Sequence, residues 1–275
     1  MYAGLVRRAL DEDLAETGDL TTEACIRADS VSRADIVARV TGVIAGSQVA
    51  RHVFAVVDPD VTVEALVEDG TEVEAGTVVM TVDGSSRSIL TAERTALNLM
   101  GRMSGVATAS HHLVRAIAGT GAVITDTRKT MPGLRALDKY SVRMGGGRNH
   151  RFGLYDAVMI KDNHIVAAGG ITGAVEAVRS RVGHTVKIEV EVDALDQLDE
   201  LLVVGADIVL LDNMDPATLR KAVERVDGRM ICEASGGITP ETVRAVAESG
   251  VDVISAGSIT HSAPQLDVAL DFRRD

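Results

Sequence analysis

"DIVLLDNMDPATLRKAVERVDGRMICEASGGITPETVRAVAESGVDVISAGSIT", residues 207–260, repeats one unit. A short apolar run closes on a polar or charged residue, a helix-forming segment follows, and the next run begins about 22 residues after the last. Strands alternating with helices of this length predict βα units and a parallel sheet. The pattern extends upstream. The full set of runs is AVITD (122–126), AVMIK (157–161), VKIEVEV (186–192), DIVLLD (207–212), MICEAS (230–235) and DVISA (252–256). Between most of them ITGAVEAVRSRV, ALDQLDELLVVG, DPATLRKAVERV and TPETVRAVAESG read as helices. The tight spacing suits a barrel better than an open doubly wound sheet. Only six clear runs occur, so residues 105–262 are expected to form an irregular, incomplete β/α barrel.

Residues 1–104 read differently. ADIVARVTGVIAG and VTVEALVEDGTEVEAGTVVMTV alternate apolar and polar residues, with EDG and EAG as turns, which predicts an antiparallel sheet. SQVARHVFAVV reads as a helix on that sheet, giving a small α/β sandwich domain. TAERTALNLMGRMSGVATASHHLVRAIAG (91–119) is a long helical stretch with an interior Gly105, expected to bridge the two domains. The tail, residues 263–275, resumes alternation and is expected to return to the small domain.

The chain has 275 residues, 46% of them apolar and 25% charged, ordinary for a globular protein with a sizeable core. No apolar run approaches the length of a membrane span, and the N-terminal segment carries acids where a signal peptide has an apolar centre. Cys25 and Cys232 make no CxxC pair. A cytoplasmic protein with reduced thiols is the expectation. The formal net charge of -12 disfavours nucleic acid, whose backbone it would repel. Against that background one stretch stands out. From Asp126 to Lys161, eight Lys/Arg oppose three acids, a local net of +5 beside three consecutive glycines. A cationic patch on an acidic protein points to a small anionic ligand.

In a βα barrel the site lies at the C-terminal strand ends. The residues there are Asp126, Lys161, Glu191, Asp212, Glu233 or Ser235, and Ser255. Any one charge is explained by an ordinary strand end; six in register are harder to explain without partners. Lys187, Glu189 and Glu191 share a face, with Glu191 nearest the mouth and a Glu189–Lys187 pair expected to be structural. Glu191 and Asp212 suit Mg²⁺ that also binds substrate phosphates, or, without a phosphate, a general acid and base. SGGIT (235–239) and AGSIT (256–260) are glycine turns able to bring backbone N–H groups to a phosphate. A solvated basic helix face accounts for Arg135, Lys139 and Arg143 but poorly for Arg128, Lys129 and Lys161. Arginine forks suit planar carboxylates, and lysine suits a point anion.

TDTRKTMPGLRALDKYSVRMGGGRNHRFGLYDAVMIKDNHI, from residue 125, resembles the signature region of the quinolinate phosphoribosyltransferase family. ALDEDLAETGDLTTEA, TAERTALNLMGRMSGVAT, EVEVDALDQLDELL, LLDNM, EASGGIT and SAGSITHSAPQLD extend the likeness along nearly the whole chain. Departures are small: Met214 stands where an aromatic is common, and Ser258–Ile259 lie in a loop that often reads GALT. The resemblance implies a homodimer in which Arg94 reaches the partner's site. It implies that Arg128, His150, Arg151 and Lys161 hold the carboxylates of quinolinate. Lys129, Glu191 and Asp212 would face the ribose and Mg²⁺-pyrophosphate of phosphoribosyl pyrophosphate, with Ser235, Gly236, Gly257 and His261 near its phosphates. The rivals are a paralogue acting on another base, of the molybdenum-transport-associated type, and a carrier module built on the VEDGTEVEAGTVVMTV hairpin. The carrier reading fails on chemistry, because no lysine occurs between Met1 and Leu99.

Overall fold

The computed structural model describes residues 2–274. In chain order it begins α1 Ala3–Leu14, α2 Leu20–Cys25, β1 Val31–Ala38, β2 Gly42–Val43, α3 Ser47–Val57, β3 Thr62–Ala65, β4 Glu72–Val73 and β5 Val78–Ser85. It continues α4 Ser86–Ala116, β6 Val123–Thr125, α5 Arg135–Met144, β7 Val158–Ile160, α6 Asp162–Ala168, α7 Ile171–Arg179, β8 Ile188–Val192 and α8 Leu195–Val204. It ends β9 Ile208–Asp212, α9 Pro216–Val226, β10 Ile231–Ser235, α10 Val243–Ala247, β11 Val253–Ser255, α11 Ser258–His261 and β12 Val268–Phe272. The chain divides into two compact units. One takes the residues up to His111, Met131–Gly146 and those from Ser262 onward; the other takes His112–Thr130 and Gly147–His261. Residue 104 therefore lies inside α4, and the basic stretch is shared between the units.

In the first unit β12, β1, β5 and β3 form an antiparallel sheet in that order, and β2 pairs with β4. The tail strand joins by register, Ala34 opposite Phe272 and Ala38 opposite Val268. Because β4 pairs with β2 while β5 pairs with β1 and β3, residues 67–82 do not close as a two-stranded carrier hairpin. Ile36 and Met80 of the sheet, Phe54 of α3, and Ile89 and Met100 of α4 are fully buried together. Each such side chain contributes about 1.5–3 kcal/mol on leaving water. Gly105 has a packing reason: a Cβ there would sit 2.0 Å from the Pro264 carbonyl oxygen, so only glycine lets the tail cross the helix so closely.

α5 also belongs to this unit, and of the three cations expected on a solvated face Arg143 is exposed, Arg135 half-buried and Lys139 buried. Asp138 is fully buried and Lys139 is 3% exposed. The Arg102 guanidinium forks onto the Asp138 carboxylate, with Nη2 donating to both oxygens at 3.0 Å. The Met131 N–H donates to the same carboxylate at 3.1 Å.

The second unit is a six-stranded parallel sheet in the order β6-β11-β10-β9-β8-β7, with helices in the connections. β6 and β7 are its outer strands, which leaves the barrel incomplete. Burial on both faces explains the near-continuous apolar runs in these strands. Helix starts are capped as the sequence allows: Asp215 accepts from the N–H groups of Ala217 and Thr218, ahead of Pro216 at the first helical position. The helix expected over 239–250 is shorter, because residues 239–242 form a turn in which the Thr239 N–H donates to the Thr242 hydroxyl. Among the described residues no helix is long and apolar enough to cross a membrane.

Candidate active site

Parallel register aligns the strand ends: Thr125 with Ser255, Ser255 with Ser235, and Ser235 with Asp212. The residues just beyond them line a cavity of about 570 Å³, within the usual range for a small-molecule site. Arg128 and Lys129 come from the turn after β6, His150 and Arg151 from the loop before β7, and Lys161 from the turn after β7. Glu191 of β8, Asp212 of β9, Ser235 and Gly236 at the end of β10, and Gly257 and His261 after β11 complete the ring. Thus eleven of the twelve residues that the family resemblance assigns to ligands meet in one place. Arg94 is the exception: it lies on α4 with a side chain 65% exposed, 3.7 Å from Glu93, and is not among the lining residues.

The cations of the cavity differ in their protein contacts. Lys161 is ion-paired to Glu191. Arg151 donates to the Ala157 carbonyl at 3.2 Å and reaches the Met159 sulfur at 3.5 Å. Burial, and next the positive charge of Arg128, push its guanidinium below the usual value. Two guanidiniums held near one another at a cavity floor make a receptor for an anion with more than one carboxylate.

The glycines have separate jobs. Gly236 turns at φ +95, and a Cβ there would fall 2.1 Å from Asn213 Oδ1, so the β10 turn can close on the Asp212–Asn213 turn only as glycine. At Gly257 a Cβ would come within 2.9 Å of the Lys129 Cδ, so this residue makes room for the lysine stem. The Thr260 hydroxyl donates to the Lys129 carbonyl at 2.8 Å and fixes the same turn.

Asp126 closes β6 but does not face ligand. It is fully buried, accepting from the His150 N–H at 2.9 Å and from the Asn149 side chain at 2.6 Å. With the Arg148 N–H bonded to the Ile124 carbonyl at 2.8 Å, this bolts the loop carrying His150 and Arg151 alongside β6.

Sequence reasoning missed the deepest feature. The His150 Nε2 lies 3.2 Å from Glu189 and 3.3 Å from Glu233. Both carboxylates are nearly fully buried, and each keeps one oxygen, Oε1, without a hydrogen-bond partner. The expected Glu189–Lys187 pair does not form. Lys187, at the opposite strand end, bonds Asp207 at 2.6 Å. Burial opposes charge on His150, but the hydrogen bonds and charges of Glu189 and Glu233 outweigh it and raise the pKa to about 10. The hydrogen-bond geometry decides for the neutral ring over that electrostatic tilt: the Arg151 N–H donates to His150 Nδ1 at 2.7 Å, which only an unprotonated nitrogen can accept. Burial raises the Glu189 carboxyl, and His150 draws it back. The available signal was a glutamate in the middle of each buried run, IEVEV and ICEAS.

Comparison with known proteins agrees with this geometry. Models of the quinolinate phosphoribosyl transferase N-terminal and C-terminal domains match residues 19–104 and 106–271. A Mycobacterium leprae nicotinate-nucleotide pyrophosphorylase [carboxylating] is 45% identical, over 97% of this chain and 95% of its own. A Bacillus subtilis protein named as probably the same enzyme is 43% identical, over 94% of this chain and 89% of its own. Among solved structures, the nicotinate-nucleotide pyrophosphorylase of Ehrlichia chaffeensis superposes with a TM-score of 0.95 at 36% identity, covering 99% of both chains. NadC of Streptococcus pyogenes gives 0.94 at 37%, covering 99% of this chain and 97% of its own. The chain belongs to the quinolinate phosphoribosyltransferase family.

Proposed function

We propose that the protein transfers the phosphoribosyl group of phosphoribosyl pyrophosphate to quinolinate with decarboxylation, a pentosyltransferase step of NAD biosynthesis. The products are nicotinate mononucleotide, pyrophosphate and CO₂. The observation that carries the reading is the gathering of Arg128, Arg151 and Lys161 around one cavity that also holds Glu191, Asp212 and two glycine turns. A base-specific paralogue is not favoured, since the two named relatives above both carry the carboxylating activity in their names.

The pyridine nitrogen attacks ribose C1 with its lone pair. The bond from C1 to the pyrophosphate oxygen breaks, and its electrons leave with pyrophosphate. Arg128, Arg151 and Lys161 grip the two carboxylates, which turns a bimolecular encounter into an aligned approach. Glu191 and Asp212 offset positive charge growing on the sugar, and Lys129 offsets negative charge on the leaving group. In the product the ring nitrogen is cationic, so the bond from ring C2 to its carboxylate can break with both electrons staying on the ring. CO₂ leaves and C2 takes a proton.

Mg²⁺ fits the donor set. Glu191 and Asp212 offer hard carboxylate oxygens at the cavity wall, and the engaged ones, to Lys161 and to Asn213 at 2.7 Å, leave a second oxygen on each. When bound with the donor, the ion would neutralise pyrophosphate charge. The protein acts in the cytoplasm, and its reduced thiols suit that compartment: Cys25 and Cys232 are both free.

We further propose that it works as a homodimer in which Arg94 completes the partner's site. Its exposure and its absence from the cavity lining support this reading. Mixing subunits tests it. An Arg94→Ala protein and an Arg151→Ala protein, each weak alone, should recover about a quarter of wild-type activity after random exchange, because one site in each mixed dimer carries neither change. No recovery after verified exchange would contradict the shared site.

The activity itself is tested by incubating purified protein with quinolinate, phosphoribosyl pyrophosphate and Mg²⁺. Stoichiometric CO₂ and nicotinate mononucleotide are expected, and neither should form when quinolinate is omitted. Turnover of nicotinate without CO₂ release, in place of quinolinate, would overturn the reading.

A further inference from the structure

His150 has a protein partner on each ring nitrogen, and the two partners define a chain. On one side Nε2 lies between Glu189 and Glu233, at 3.2 and 3.3 Å. On the other side Nδ1 accepts the Arg151 N–H at 2.7 Å. A divalent cation among the three side chains is the first alternative, because His150, Glu189 and Glu233 bring their ligand atoms within 4.8 Å of one another. The Arg151 contact argues against it. A histidine that ligates through Nε2 keeps a proton on Nδ1 and donates from it, whereas here Nδ1 receives a hydrogen. The proton must then sit on Nε2, shared between two carboxylates. A shared N–H also explains why both contacts are longer than the 2.7–2.9 Å of a single charge-assisted bond.

We propose that Glu189 and Glu233 are positioning residues for the ligand clamp: they fix His150 as its Nε2–H tautomer, so that Nδ1 holds the Arg151 backbone and sets where that guanidinium stands. This deepens the functional reading above and rests on it for the identity of the ligand. The geometry leaves the loop few other means of aiming Arg151. Its guanidinium hydrogen-bonds a carbonyl and a thioether and feels the charges of Glu189 and Asp156, while Asp126 fixes the loop one residue earlier, at the His150 N–H. Neither glutamate touches substrate in this scheme. Both are nearly fully buried, 2% and 3% exposed, with Glu233 bordering the cavity.

The test is a double Glu189→Leu, Glu233→Leu variant. Removing both acceptors leaves the His150 Nε2–H without a partner, so the melting temperature should fall while the protein still folds. The KM for quinolinate should increase roughly 10- to 100-fold, as expected when a binding group is misplaced by about 1 Å, with the donor KM moving less than about three-fold. A folded double variant with an unchanged quinolinate KM overturns the proposal. So does an equal rise in both KM values, which would mean general collapse of the site. If the double variant does not fold, His150 carries the test. His150→Leu should raise the quinolinate KM, and His150→Asn, whose side-chain oxygen can still accept the Arg151 N–H, should recover most of that loss. Equal losses in the two overturn the proposal. Hydrogen exchange at the Arg151 amide reads the relay with no substrate present: slow in the wild type, fast in His150→Leu. Should wild-type protein fail to turn over quinolinate while that protection pattern holds, the functional reading fails and the relay stands. Should the Arg151 amide exchange fast in the wild type, the relay fails.

Discussion

Arg143 and Arg151 stand in one basic stretch, eight residues apart, and their surroundings are opposite. Arg143 ends α5 in the first unit, exposed, its guanidinium 5.7 Å from the Tyr140 ring centre. There it also meets the negative end of the helix dipole. Arg151 stands in the second unit at a cavity floor, half-buried and close enough to Arg128 for the two charges to oppose. Within the first unit, Arg102 and Asp138 neutralise each other below the surface. The lesson is that net charge along a sequence says where cations are dense and not what answers them. A helix end answers its own; strand ends bring several cations to one cavity, where a bound anion can meet them together.

Four substitutions push on that contrast, and the largest effect falls on the structural side. Arg102→Ala leaves Asp138 as a buried charge without its fork. It should destabilise the protein by about 3–5 kcal/mol in urea melts, whereas loss below about 1 kcal/mol would mean that α5 is held by packing alone. Next comes Arg151→Ala, and Arg128→Ala with it. Each should raise the quinolinate KM by roughly 10- to 100-fold, the worth of a charge-assisted bond, while the donor KM stays within about three-fold. Equal effects on the two substrates would blur the distinction between clamp and scaffold. Arg143→Ala is the smallest. Stability should change by less than about 0.5 kcal/mol with both KM values unmoved, and a selective loss for quinolinate would place this arginine on the wrong side of the contrast.

The six strands were legible because a strand buried on both faces must be apolar for several residues and can become polar only at its ends. AVMIK and DIVLLD satisfy that rule, and the βα fold follows from the spacing of the runs. The strand order was not legible. That β6 sits beside β11 depends on how the sheet curls, and no local pattern in VIT or VIS encodes it. The same difficulty hid Glu189 and Glu233. They lie on β8 and β10 with β9 between them, and His150 arrives from a loop bolted to β6. Each glutamate alone looks like an ordinary polar interruption of a strand, and only the assembled sheet makes them neighbours. Asp126 misled in the opposite direction. Its position at a strand end matched the ligand-facing pattern, yet its two oxygens are taken by the adjacent loop. For Arg94 the implied role came from family resemblance and not from spacing, and one chain's cavity does not include it.

Calorimetric titration of the wild-type protein with quinolinate and, separately, with nicotinate addresses the clamp most directly, because the ligands differ by one carboxylate. Quinolinate should bind at least about ten-fold more tightly, with an advantage that shrinks as salt is added and disappears in Arg151→Ala. Equal affinity for the two acids, or an advantage indifferent to both salt and Arg151, would contradict the account.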